Sequence, residues 1–192
     1  MKIIYFHGFA SSGATGTAQL MRSMLPDDEI VSPDIPVDPI VALPYLKELC
    51  DNEKPDLIIG TSMGGMYAQQ MRGYRKICVN PAFNMSRMSK VLKPGVHKFL
   101  NGRKDNAKEF RVTKETIQHF FQMERHQFDD ISDFDRDNTY GLFGIHDETV
   151  SGGYELFKKY YPNASRFDGA HQLNEKALRT AVLPLVRKIL FE

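Results

Sequence analysis

Residues 56–68 read Asp56-Leu57-Ile58-Ile59-Gly60-Thr61-Ser62-Met63-Gly64-Gly65-Met66-Tyr67-Ala68. A short apolar run of strand type leads into a G-x-S-x-G turn, and the turn opens a helical pattern. The five-residue pattern alone arises by chance in roughly one chain in fifteen of this length, so its flanks carry the weight. A strand that passes at once into a helix puts the serine at the tip of a strained turn. The helix N-terminus then aims free N–H groups at the same spot. Side chains two residues before and after Ser62 would collide in such a turn, which accounts for Gly60 and Gly64. Ser62 is thus the candidate nucleophile. An ordinary tight strand–helix turn with an N-cap serine is the competing reading.

Working outward, six short apolar runs read as strands: Lys2–Phe6, Glu29–Val31, Leu57–Ile59, Ile77–Val79, Tyr140–Phe143 and Ser165–Phe167. Most are bounded by Gly, Pro or Asp, as buried parallel strands are. Helical patterns lie between them at Thr15–Leu25, Pro39–Asp51, Ser62–Met71, Tyr154–Tyr161 and Glu175–Phe191. Strands alternating with helices imply right-handed crossovers and a parallel sheet covered on both faces. The alternation breaks between Asn80 and Thr139, where no strand is evident and one helix is expected over Thr113–His126, with Thr113 as its N-cap. A connection of about sixty residues exceeds a normal crossover several-fold. Residues 81–138 are therefore expected to form a helical cap or lid over the carboxyl ends of the strands, within one domain spanning 1–192.

A serine hydroxyl attacks only when a base takes its proton. In the α/β-hydrolase fold class, which the strand–turn–helix setting indicates, the chain order is nucleophile, acid, histidine. His171, in Asp168-Gly169-Ala170-His171-Gln172, follows the last expected strand and is the candidate base. His146 is its rival, but it follows the fifth strand, where the acid belongs. His97, His119 and His126 fall in the insert and read as solvated or structural. Asp147, in Gly144-Ile145-His146-Asp147-Glu148, is the candidate acid, with the adjacent Glu148 as substitute. An oxyanion hole needs two backbone N–H groups. Met63 follows the nucleophile and supplies one; the loop Phe6-His7-Gly8-Phe9-Ala10 supplies the other, from Phe9 with Ala10 second. His7 is expected to brace that loop rather than to move protons.

Composition narrows the rest. The chain has 192 residues, 42 % hydrophobic and 26 % charged, with a net charge of +1. That balance gives no overall attraction to nucleic acid or acidic membranes, and no apolar run approaches the roughly 20 residues of a membrane span. The N-terminal run passes straight from strand into His7-Gly8, too short for a signal peptide, so a cytoplasmic protein is expected. Cys50 and Cys78 lack CxxC spacing and read as buried thiols rather than a disulfide or metal site. Gly8, Gly13 and Gly16 match neither G-x-G-x-x-G nor a G-K-[ST] ending, which argues against a nucleotide site. No metal and no cofactor are expected. Nothing fixes the oligomeric state.

Several short motifs, in this order and spacing, resemble the YqiA-like esterases, small members of the α/β-hydrolase superfamily. They are Tyr5-Phe6-His7-Gly8-Phe9-Ala10-Ser11-Ser12, Gly60-Thr61-Ser62-Met63-Gly64-Gly65-Met66-Tyr67-Ala68, Asn80-Pro81-Ala82, Asp147-Glu148-Thr149-Val150 and Gly169-Ala170-His171. The resemblance implies a minimal α/β-hydrolase fold of about six parallel strands, lacking the two leading strands of larger relatives. It implies hydrolysis of a small-molecule carboxylic ester or thioester by Ser62, Asp147 and His171. Thr61 and Met63 around the serine, and Ala170 in the histidine loop, depart from the family pattern and bear on substrate preference. A catalytically silent binding module of the same fold is the alternative of another class; it should have lost a triad member. Residues 87–114 carry nine Lys or Arg against Asp105 and Glu109, and residues 124–137 carry six acids against Arg125 and Arg136. Two readings follow: a solvated lid with mutually attracting halves, or a basic surface steering an anionic acyl-CoA thioester. Phe99, Phe110, Phe120, Phe121 and Phe128 read either as core or as an acyl pocket.

Overall fold

A computed structural model describes residues 1–191. In chain order the elements are β1 (Lys2–Phe6), α1 (Gly16–Met24), β2 (Glu29–Val31), α2 (Pro39–Glu53), β3 (Leu57–Thr61), α3 (Met63–Gln69) and β4 (Lys76–Val79). A 3₁₀ turn (Met85–Arg87) precedes β5 (Gly95–Lys98), β6 (Glu109–Val112), α4 (Lys114–His126) and α5 (Asp133–Asp137). The chain continues through β7 (Thr139–Gly144), α6 (Gly153–Lys158) and β8 (Asn163–Phe167). It closes with α7 (Glu175–Ala177), a π-helical stretch (Leu178–Val182) and α8 (Leu183–Phe191).

The main sheet has six strands in the order β2-β1-β3-β4-β7-β8, every pair parallel. Successive side chains alternate between its two faces. Ile4, Phe6, Ile58 and Cys78 pack against α2, α3 and α6, whereas Ile3, Tyr5, Leu57, Ile59, Ile77 and Val79 pack against α1 and the C-terminal helices. Each face therefore buries its own core, and this is why the central strands read as continuous apolar runs. The chain passes from β1 outward to β2, then returns to place β3 on the other side of β1. Such a reversal opens a crevice at the carboxyl ends of β1 and β3, and the loop of Gly8 and the Ser62 turn both start there.

The insert is not the purely helical cap expected from the sequence, and its Asp135 is tied to Lys76 at the amino end of β4 rather than over the carboxyl ends of the strands. β5 and β6 pair antiparallel, with Val96 opposite Arg111 and Lys98 opposite Glu109, so the region holds a hairpin as well as helices. Outward Val96, Lys98, Glu109 and Arg111 are exposed, while His97 and Phe110 stack inward with ring centroids 5.4 Å apart. α4 is capped as expected: Thr113 Oγ1 accepts from the Thr116 N–H at 3.1 Å, and Thr116 Oγ1 accepts from the Thr113 N–H at 3.3 Å. α4 buries Phe120 in the same core as Met66 and Tyr67 of α3. The C-terminal helix is not uniform either. Pro184 has no N–H to offer the preceding turn and its ring crowds the carbonyl there, and a π stretch immediately precedes α8. No helix among the described residues is long and apolar enough to cross a membrane.

Candidate active site

Ser62 sits between β3 and α3 with φ 56° and ψ −120°, a left-handed conformation costly for a residue with a Cβ. Its neighbours hold it there. The Ser62 N–H donates to the Val79 carbonyl at 3.0 Å, and the Ser62 carbonyl accepts from Ala82 N–H at 3.0 Å. A Cβ on Gly60 would overlap the Gly64 carbonyl, and a Cβ on Gly64 would overlap the Phe6 carbonyl at the end of β1. The first collision lies within the turn; the second lies between the turn and the neighbouring strand.

His171 Nε2 lies 2.9 Å from Ser62 Oγ, and His171 Nδ1 lies 2.8 Å from Asp147 Oδ2. A carboxylate can only accept, so Nδ1 carries the proton and Nε2 faces the hydroxyl as an acceptor. The other Asp147 oxygen, Oδ1, accepts from the N–H groups of Thr149 at 2.8 Å and Val150 at 3.1 Å. That turn fixes the carboxylate plane, and only 5 % of the Asp147 side chain meets solvent. Glu148 is exposed and makes no hydrogen bond to His171. His146 points away and pairs with Asp168 at 3.2 Å on the surface. His119 pairs with Asp38 at 2.9 Å and His126 with Asp129 at 2.8 Å.

The loop after β1 faces the same point. A Cβ on Gly8 would lie 3.5 Å from Ser62 Cβ and 3.9 Å from its Oγ, so a longer side chain at position 8 would crowd the Ser62 hydroxyl. Among the described residues, the N–H groups of Phe9, Ala10 and Met63 have no hydrogen-bond acceptor. The loop is held by other atoms. His7 is buried; its Nε2 accepts from the Ile35 N–H at 3.0 Å and its Nδ1–H donates to the Gly8 carbonyl at 2.8 Å. Burial, with a smaller push from Arg103, lowers its pKa to about 4, so it is neutral at neutral pH.

Sequence reasoning missed a set of braces from the insert. Ala10 O accepts from Leu100 N–H at 2.7 Å, Ser11 Oγ accepts from Asn101 Nδ2 at 2.9 Å, and Ser12 Oγ donates to Gly102 O at 2.7 Å. The Phe9 ring packs edge-on against Phe110 of β6, with centroids 5.4 Å apart. A two-strand hairpin with mostly charged outward positions carries almost no local signal, so these contacts had none to be read from.

Ser62 and His171 open into a cleft of about 610 Å³ walled by Leu20, Met85, Met88, Val91, Leu100 and Leu173. Its lining holds no Lys, Arg, Asp or Glu. The five phenylalanines read as an acyl pocket do not line it. Phe120 is buried in the core, Phe128 stacks on Tyr160 at 4.1 Å, Phe99 and Phe110 pack together at 4.6 Å, and Phe121 is largely exposed. Helical spacing shows that one face is apolar, and here the covered surface is the core. The insert's two halves form no ion pair with each other among the described residues; Asp135 instead pairs with Lys76 of β4 at 2.6 Å. A separate groove of about 460 Å³ between α2 and α4, lined by Leu43, Pro44 and Met123, includes none of the residues around Ser62.

The fold is that of the α/β hydrolases. An α/β hydrolase from a metagenome of lagoon sediments at Mar Chica, Morocco, is 15 % identical, with a TM-score of 0.58 over 99 % of this chain and 88 % of that one. The esterase domain of a Rhodothermus marinus protein is 16 % identical, with a TM-score of 0.62 over 97 % and 86 % of the two chains. The type II thioesterase YbtT of the yersiniabactin pathway is 13 % identical, with a TM-score of 0.58 over 100 % and 94 %. Residues 2–137, from β1 through α5, match the profile of the Uncharacterised protein family (UPF0227), and the chain belongs to that family.

Proposed function

We propose that the chain is a serine hydrolase that cleaves small carboxylic esters through an acyl-enzyme. The observation that carries this reading is the unbroken line of hydrogen bonds from Asp147 through His171 to Ser62, which ends on a serine in strained backbone. Ser62 Oγ attacks the ester carbonyl while His171 Nε2 takes its proton. Asp147 holds the imidazole in the required tautomer and stabilises the imidazolium. The tetrahedral oxyanion rests on the amides of Met63 and Phe9, which have no other partner among the described residues. His171 then returns its proton to the departing alkoxide, leaving the acyl group on Ser62. A water, deprotonated by the same nitrogen, releases the acid and restores the hydroxyl. An esterase domain and a thioesterase of the same fold are consistent with this class of reaction.

The test pairs wild type with Ser62→Ala, using a fluorophosphonate probe and p-nitrophenyl esters of increasing chain length. Wild type is labelled once per chain and turns over ester; the variant is not labelled and loses about 10⁴-fold or more in kcat. A wild type that neither labels nor turns over leaves a binding module of the same fold.

One observation favours a thioester as a second reading. Every Lys or Arg of residues 87–114 except Arg103 is exposed and forms no ion pair among the described residues. None of these charges lines the cleft itself. They would accelerate capture of an anionic acyl-CoA, so its kcat/KM should fall steeply with salt while that of a neutral ester holds. Equal salt responses would rule steering out. In this reading any covering role for the insert belongs to residues 85–91 and 100–101, which border the cleft.

A further inference from the structure

Asn80 stands immediately beyond β4, buried to 2 % exposure, with a φ of 44°. Its backbone continues the sheet, donating to the Leu142 carbonyl at 2.9 Å. Its side chain reaches across two loops. Oδ1 accepts from the Gly144 N–H at 2.7 Å, at the root of the loop that carries Asp147. Nδ2 donates to the Ala170 carbonyl at 3.0 Å and to the His171 carbonyl at 3.1 Å. The two ends of a carboxamide are thus matched to one donor and two acceptors, which fixes its orientation.

The histidine loop needs such a tie. Residues 168–174 contain no helix or strand, and among the described residues the Asn80 side chain makes the only hydrogen bonds to the backbone of Ala170 and His171. The sheet ladder stops short of them: Ile145 N–H donates to Phe167 O at 3.0 Å and His146 N–H to Gly169 O at 3.0 Å. The bond from Asp147 to His171 must be made between those two loops.

We propose that Asn80 is a positioning residue: its carboxamide sets the separation of the acid and histidine loops across which Asp147 and His171 meet. The inference deepens the hydrolase reading and rests on it for its kinetic arm. Asn80 reaches no reacting atom; it acts through the backbone of His171. A left-handed residue is also needed here, and Asn, Asp and Gly all tolerate that conformation. This separates the two roles. Asn80→Asp is isosteric and keeps the acceptor for Gly144, but turns an oxygen toward two carbonyls. Asn80→Gly keeps the backbone freedom and removes the bridge.

The experiment uses the full chain of wild type, Asn80→Asp and Asn80→Gly. It follows p-nitrophenyl ester kinetics, melting temperature, and the downfield NMR resonance of the His171 Nδ1 proton. Both variants should lose at least about tenfold in kcat with KM within about twofold, because the misplaced group is the base and not the binding wall. The Nδ1 resonance should weaken or vanish in both. An Asn80→Asp protein with wild-type kcat and an intact resonance overturns the proposal, as does an Asn80→Gly protein that melts lower yet keeps both. If wild type neither turns over ester nor takes the fluorophosphonate, the hydrolase reading fails, while the resonance, which needs no substrate, still decides what Asn80 positions.

Discussion

Gly64→Ala tests whether close approach of the elbow helix to β1 is what shapes the site. The added Cβ would overlap the Phe6 carbonyl and would lie 2.6 Å from the His7 carbonyl oxygen. A carbon–oxygen contact is comfortable from about 3.3 Å, so the His7 contact alone asks for a shift of roughly 0.7 Å, and the Phe6 contact asks for more. All the atoms met are backbone of β1 and its continuation, so no side chain can swing aside. α3 must move away from the strand whose loop carries Phe9. Helix propensity opposes this loss by up to about 1 kcal/mol in favour of Ala, but overpacking of this kind costs about 1–3 kcal/mol. A displacement near 1 Å between nucleophile and oxyanion donors is expected to lower kcat/KM by roughly 100-fold, or about 2.7 kcal/mol of transition-state stabilisation. The assay is p-nitrophenyl ester turnover together with the rate constant for fluorophosphonate labelling, which reads the same nucleophile without leaving-group effects. Gly102→Ala is the control, because its Cβ would meet nothing within 4 Å. Gly64→Ala activity within about threefold of wild type, at an unchanged melting temperature, would refute the steric argument for the second elbow glycine.

Two further outcomes concern stability. Lys76 Nζ is fully buried between Asp135 Oδ1 at 2.6 Å and Met71 O at 2.7 Å; burial draws its pKa down, and Asp135 opposes that fall. Asp135→Ala should cost about 3–5 kcal/mol in urea unfolding by leaving an unpaired buried ammonium, yet spare kcat, since Lys76 lies roughly 13 Å of strand away from Asn80. Burial alone would raise the Asp135 carboxyl, but hydrogen bonds from Lys76 and Ser132 outweigh it and hold it below the usual carboxylate range. Its contribution is therefore present above the ordinary carboxylate pKa and is lost as pH falls through the lower folded value. His7 works from the other direction. Its folded pKa of about 4 lies below the ordinary 6.5, so between those values the unfolded chain binds a proton that the folded chain refuses. Stability should fall by about 3 kcal/mol as pH drops from 7 to 4 on this account, and a His7→Asn protein should lack that component in parallel denaturant titrations.

The parallel sheet was legible because both of its faces are buried. Ile3 and Tyr5 serve one core and Ile4 and Phe6 the other, so β1 shows as an unbroken apolar run. β8 was read only in its second half, since Asn163 and Ala164 are half-buried at the sheet edge and Ser165 and Arg166 are exposed. The β5–β6 hairpin was invisible for two reasons. Three of its four outward positions, Lys98, Glu109 and Arg111, are charged, and Lys98 and Glu109 are joined by ten residues rather than by a tight turn with its own chemistry. The serine turn was legible because its constraint is local: two glycines, a strand and a helix within a dozen residues. His171 and Asp147 could be named from chain order. That Asn80 touches both of their loops could not, because residues 80, 144 and 170 are brought together only by the order in which β4, β7 and β8 lie in the sheet.

A loop that must present unpaired N–H groups faces a physical conflict. Amides that stabilise a developing oxyanion cannot also be spent on holding their own backbone in place. The loop after β1 resolves this through its other atoms. The Ala10 carbonyl and the Ser11 and Ser12 hydroxyls are tied to Leu100, Asn101 and Gly102 in the connection between β5 and β6. The Phe9 ring is gripped by Phe110. Three neutral hydrogen bonds at about 1 kcal/mol each and one aromatic pair near 1 kcal/mol sum to roughly 4 kcal/mol. At 1.4 kcal/mol per decade, detachment of the hairpin from the loop would then occupy about one molecule in a thousand. A hairpin held that firmly to the loop after β1 serves as its brace, and its swinging open would release that loop from the position it holds beside Ser62. The stretch that also borders the cleft through Met85, Met88 and Val91 is anchored in its turn, because Met85 is buried in the core that holds Phe120 of α4 and the Ser86 N–H donates to Glu124 at 2.8 Å.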